Sequence, residues 1–199
     1  ALVDCAVRKF GGLDIGFNNA GTIGPMGPIT DLPLDGWRDT VDTNLTSAIL
    51  GAKYQVRAMI ERGGGSLIFT SSFVGHTVGF PNLAAYAASK AGLVGLTQVL
   101  AAELGVMGVR VNAILPGGTD TDMARTVADT PEMKEFIAGL YALKRIATPE
   151  EIAPSFIWRP TRRVSRPERR GSSTVAFRSP APEKIVPVAG VSLPPTHRA

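Results

Sequence analysis

At 199 residues and 44% hydrophobic, the chain can bury one sizeable core, so a single folded domain is the first expectation. Its one cysteine, Cys5, excludes an internal disulfide and a cysteine-clustered metal site, and no metal is expected. The net charge of +4 is lopsided: residues 157–199 hold eight Arg and Lys184 against Glu168 and Glu183, or +7, so residues 1–156 are mildly acidic and offer no basic face for nucleic acid.

Residues 1–10, ALVDCAVRKF, space their apolar side chains as a helix does and stop at Gly11-Gly12, reading as the last turns of a helix entered partway. Leu13 to Phe17 is a short apolar run opening into Asn18-Asn19-Ala20-Gly21, the pattern of a buried parallel strand that exits to a loop. From Asp31 to Arg62, Trp37, Val41, Leu45, Ile49, Ala52, Val56 and Ile60 recur at three- and four-residue steps, which predicts one long helix facing a core. Gly63-Gly64-Gly65 ends it. Ser66 to Ser72 reads as a second strand, Pro81 to Gly105 as a second long helix, and Val109 to Leu115 as a third strand broken by Pro116-Gly117. This alternation predicts an α/β fold, a parallel sheet with helices on both faces.

Thr148 followed by Pro149, Glu150 and Glu151 has the cap, first-turn proline and acidic residues of a helix start. From Trp158 the chain turns Arg/Pro/Ser-rich, with seven of its fifteen prolines and no sustained period, and reads as an irregular basic tail. No uninterrupted apolar stretch approaches the ~18 residues of a membrane helix, and the amino terminus lacks a basic-then-apolar leader. The expectation is a cytoplasmic protein without membrane or nucleic-acid partners.

Tyr86 and Lys90 stand four apart within AAYAASKAGLVGL, which puts both on one helix face a turn apart. An ammonium beside a phenol favours the phenolate, so the pair is expected to lower the Tyr86 pKa toward working pH. Around the pair stand Asn18-Asn19-Ala20-Gly21 after a strand, Asn44 in the long helix, Ser71-Ser72 ending the next strand, then Arg110-Val111-Asn112-Ala113 and Pro116-Gly117. In this order, over residues 1 to about 156, the sequence resembles the short-chain dehydrogenase/reductase family.

The resemblance implies a Rossmann-like, doubly wound parallel sheet and NAD or NADP as cofactor. Tyr86 would be the general acid/base exchanging a proton with a ketone or alcohol oxygen. Lys90 would bind the nicotinamide ribose, Asn44 would anchor a relay water, and Ser72 would hydrogen-bond the substrate oxygen. Asn19, Ala20 and Gly21 would approach the adenosine side, and Pro116, Gly117 and Thr121 the nicotinamide carboxamide. The family's Ser-to-Tyr spacing is commonly one residue shorter, which would land on Phe73. Phe73 cannot hydrogen-bond, so Ser72 is preferred, with an extra residue assigned to the loop from His76 to Asn82 and Ser71 as fallback. His76 is left unassigned, Asp120 and Asp122 read as helix-start residues, and the segment from Met123 to Leu143 corresponds to the family's lid.

The strand, glycine-rich turn and helix that receive a pyrophosphate, and the later residue selecting NAD or NADP, do not occur in this sequence. The fold is therefore expected to be incomplete, lacking the first βαβ unit and the last strand. Re-reading residues 157–179 one base out of register yields LASDAASFATGAAGLVDGGVSI, which resembles the family's final strand and D-G-G turn, so an out-of-frame tail is expected. The leading expectation is an NAD(P)-dependent oxidoreductase acting on a small ketone or secondary alcohol, as a dimer or tetramer. The alternative is a catalytically inactive fragment that acts as an oligomerising scaffold.

Overall fold

Three strands, β1 (Ile15–Asn18), β2 (Gly65–Thr70) and β3 (Val109–Ile114), run parallel in the order β1-β2-β3 in a computed structural model that describes residues 1–156. The register pairs Gly16 with Leu67 and Phe69 with Ala113. Around them lie α1 (Leu2–Phe10), α2 (Leu34–Val41), α3 (Ser47–Glu61), α4 (Ala84–Leu104), α5 (Asp122–Val127), α6 (Pro131–Gly139) and α7 (Pro149–Ile152). The irregular tail and its proposed frame lie outside the described residues.

Alternation along β2 and β3 sends Leu67, Phe69, Val109 and Val111 into one core with Ala48, Ala52 and Met59 of α3 and Leu93 and Leu104 of α4. Successive right-handed crossovers in one direction place both helices on the same face. The expected helices on both faces are thus not found within these residues: Ile15 and Phe17, turned the other way, are 47% and 45% exposed. What residues 1–156 build is one wound half of the Rossmann-like sheet.

The long helix starts at Leu34 rather than Asp31, because Pro33 holds Leu32 extended, and a single 3-10 turn, Ile29–Asp31, precedes it. Its backbone then widens into a π turn at Asp42–Thr46 before continuing as α3. One inserted residue rotates the apolar stripe. Leu45, Ala52 and Val56 of the expected stripe still face the core, joined there by Ala48 and Met59, while Ile49 and Ile60, both expected inside, are exposed.

Helix α4, with the 3-10 turn that extends it to Met107, is long and apolar enough by composition to cross a membrane. One face of it nonetheless packs on β3 and β2, burying Ala85, Ser89, Lys90 and Leu93.

Candidate active site

In a parallel sheet every strand exits at the same edge, so chain segments far apart in sequence converge there. The exits of β1, β2 and β3 bring Asn19 and Gly21, Thr70 to Val74, and Pro116 to Thr119 around one cavity of about 480 Å³, with Tyr86 and Lys90 of α4 forming its floor. Helices α5 and α6 close over it with Met123, Val127 and Ile137.

The Tyr86 phenol faces the Ser72 side chain across the cavity lining, and the Ser72 oxygen accepts the Val74 N–H at 3.2 Å. Ser71 instead donates to the Lys90 backbone carbonyl at 2.7 Å and is 2% exposed, so it holds α4 to the sheet and is unavailable as a substitute. Phe73, the residue at the shorter spacing, joins an aromatic wall, its ring 5.8 Å from Phe80. The turn that fixes this arrangement needs a left-handed residue at Gly75 (φ +85°), where a Cβ would strike the Ala87 carbonyl oxygen at 2.4 Å.

Lys90 is 4% exposed; its ammonium donates to the Thr70 carbonyl at 2.8 Å and lies 5.9 Å from the centre of the Tyr86 ring. The expected lowering of the Tyr86 pKa is not what this geometry produces. Burial pushes the Tyr86 phenol up, opposed by the Ser72 side chain, and burial pushes the Lys90 amine down to about 8. Desolvation outweighs mutual attraction because the ammonium is aimed at a backbone carbonyl, not at the phenol oxygen.

Asn44 stands behind the cavity wall, 1% exposed, with its side chain fully engaged. Its Oδ1 accepts the Thr22 N–H at 2.7 Å, and Nδ2 donates to the Thr22 carbonyl and to Ser89 Oγ, both at 2.9 Å. Ser89 in turn donates to the Tyr86 carbonyl at 2.8 Å. Asn44 is therefore a strut from the β1 exit to the Tyr86 turn of α4, and its amide is committed to that strut.

The nicotinamide end of a dinucleotide fits the residues present. A Cβ on Gly21 would come within 3.0 Å of Lys90 Nζ and 3.3 Å of Asn44 Oδ1, so only glycine leaves the ammonium open to the cavity. Asn19 lines the same opening and accepts a hydrogen bond from Thr70 Oγ1 at 2.8 Å, whereas Ala20 is exposed and lies off the lining. Pro116, Gly117 and Thr121 also line the cavity. Thr121 additionally caps α5, accepting the Ala124 N–H at 3.2 Å. Asp120 and Asp122 are both paired with Arg125.

Two residues that the motifs did not single out belong to the site. Thr119 lines the cavity and donates to the Gly117 carbonyl at 3.1 Å. Tyr141, just past α6, accepts the Gly118 N–H and packs 5.9 Å from Phe73, so the lid segment carries a polar anchor after all.

A parallel α/β half-sheet whose carboxyl edge gathers a serine, a phenol and a buried amine at one cavity places the chain among the Rossmann-like proteins. A family model described as enoyl-(acyl carrier protein) reductase matches residues 1–158, and the chain belongs to the short-chain dehydrogenase/reductase family. It is 35% identical over 153 residues to the cyclohexanol dehydrogenase of Acinetobacter sp. (strain SE19), covering 77% of this chain and 59% of that one. It is 47% identical over 123 residues to the trans-4-hydroxycyclohexanecarboxylate dehydrogenase of Sinomonas cyclohexanicum, covering 62% of this chain and 46% of the relative. Among solved structures it resembles an NAD+-bound xylitol dehydrogenase, with a TM-score of 0.73, 32% identity, and coverage of 77% and 64%. The chain thus spans about half to two thirds of the length of these relatives.

Proposed function

We propose that this chain carries the reaction centre of an NAD(P)-dependent oxidoreductase that interconverts a cyclic ketone and its secondary alcohol. The observation that carries the reading is the convergence of the Tyr86 phenol, the Ser72 hydroxyl and a buried Lys90, a turn from Tyr86, on one cavity. The relatives are named for cyclohexane-ring alcohols, one neutral and one bearing a carboxylate, and the ring they share supplies the substrate type.

The nicotinamide group, when bound, supplies or accepts the hydride. Pro116, Gly117 and Thr121 would hold its carboxamide end, Lys90 its ribose, and Asn19 and Gly21 the path toward the adenosine. Tyr86 donates its phenolic proton to the carbonyl oxygen during reduction, and Ser72 hydrogen-bonds the same oxygen as charge develops on it. Burial keeps Tyr86 protonated at neutral pH, the form that reduction requires. Oxidation requires the phenolate and gains from alkaline solution. Asn44, through Ser89, fixes the turn of α4 from which Tyr86 projects.

A second reading is an oligomerising scaffold without turnover. Helices α3 and α4 carry exposed Ile49, Leu50, Tyr54 and Val99, an apolar surface that suits a second copy under either reading. The two are separated by titrating the full chain with NADH and NADPH, following nicotinamide fluorescence, and assaying turnover of a ketone panel beside Tyr86→Phe. Binding with turnover abolished by Tyr86→Phe supports the enzyme. Absence of both binding and turnover selects the scaffold, and full turnover by Tyr86→Phe removes the proposed acid.

A further inference from the structure

We propose that the cavity selects an uncharged ring ketone or alcohol and rejects the same ring bearing a carboxylate, an inference that rests on the oxidoreductase reading above. The wall that faces a substrate beyond Ser72 and Tyr86 is built from Phe73, Phe80, Val127 and Ile137, drawn from the β2–α4 loop, α5 and α6. Phe80 sits edge-on to Phe73 at 5.8 Å, with Phe136, itself off the lining, packed on it at 6.2 Å, so the lining on this side is aromatic at Phe73 and Phe80. Such a surface takes a saturated or unsaturated ring through area and edge contacts, and it has no polar atom for a second substituent.

Charge points the same way. Among the described lining residues Lys90 is the one cation, and its ammonium is anchored by the Thr70 carbonyl at the floor, beside the reacting oxygen and away from the Phe73 and Phe80 side. Of the lid segment's cations, Arg125 is paired with Asp120 and Asp122 and Lys134 lies off the lining, while just beyond it Lys144 donates to the Gly139 carbonyl and Arg145 pairs with Glu151. The first of these groupings has two carboxylates to one guanidinium, so the field it adds at the α5 end is negative. A substrate carboxylate would lose its hydration against phenyl rings with no counter-charge to replace it. The site would discriminate by leaving the carboxylate without a counter-charge or hydrogen-bond partner.

The test uses the full chain and two probes that differ only in charge, cyclohexanone and 4-oxocyclohexanecarboxylate, with binding followed at pH 7 by ligand-observed NMR without cofactor. The neutral ring is expected to bind at least about tenfold more tightly. Phe80→Arg is expected to invert that order by placing a guanidinium in the wall. Tyr86→Phe is expected to leave the preference as it is. Equal or tighter binding of the carboxylate by the unaltered chain overturns the proposal, as does failure of cyclohexanone to bind. These outcomes are independent of turnover. A preference for the carboxylate with Tyr86→Phe inactive sinks only the selectivity, whereas full turnover by Tyr86→Phe sinks only the proton donor.

Discussion

Replacing Lys90 by Met tests the central electrostatic feature of the site, an amine held charged with little of its surface in contact with solvent. Lys90 is 4% exposed, and burial lowers its pKa from 10.5 to about 8. Below pH 8 the folded and unfolded chains both carry the proton, and the full cost of burying the charge is present. Between about 8 and 10.5 the unfolded chain still binds the proton and the folded chain has released it, so stability rises with pH across that window. At ~1.4 kcal/mol per unit the gain amounts to roughly 3 kcal/mol. Met preserves length and volume and does not titrate. Urea unfolding of both proteins at pH 7.5 and 10.5 isolates Lys90, because every other group cancels in the difference between the two. The wild-type midpoint should rise relative to that of Lys90→Met by about 1.5 M, taking a slope of ~2 kcal/mol per molar urea. Parallel curves at the two pH values would refute the account of Lys90 as a desolvated ammonium.

Asn44→Ala removes three buried hydrogen bonds and strands the Thr22 backbone groups, which should cost about 3 kcal/mol, read as a drop in the urea midpoint, while Ser89→Ala, which breaks only the Ser89 end of the same strut, should cost about 1 kcal/mol. A cost for Asn44→Ala no larger than for Ser89→Ala would remove the strut. The apolar surface of α3 and α4 predicts that the chain self-associates and that Ile49→Asp, at a position 44% exposed, yields a monomer with unchanged helical circular dichroism. Light scattering that finds the unaltered chain monomeric contradicts that surface's role.

The element order was legible because each strand and helix has its own local signature. The apolar runs before Asn18-Asn19 and Pro116-Gly117, the glycine stop at Gly63-Gly64-Gly65 and the Thr148-Pro149 start all fall where the structure has boundaries, within a few residues. Two features were not legible. A π turn adds a residue without altering the composition around it, so Ile49 and Ile60 read as core when the phase had already slipped at Asp42–Thr46. The open face carrying Ile15 and Phe17 was equally hidden, since short apolar strands read the same whether one or both sides are covered.

At the site, spacing along α4 established that Tyr86 and Lys90 share a face, which concerns backbone periodicity alone. The sign of their influence on one another depends on what else each meets. Lys90 meets the Thr70 carbonyl from β2, and Tyr86 meets Ser72 from the β2 exit, 14 to 20 residues away in sequence. Burial, which Ser72 opposes only in part, turns an expected Tyr86 pKa depression into an elevation, while the Thr70 carbonyl holds the ammonium. The same reasoning assigns Asn44 a job that its position in a helix could not reveal, because Thr22 and Ser89 reach it from 22 and 45 residues away. The chemistry of this centre is thus set less by the four side chains themselves than by the backbone carbonyls and amides that the sheet edge delivers to them.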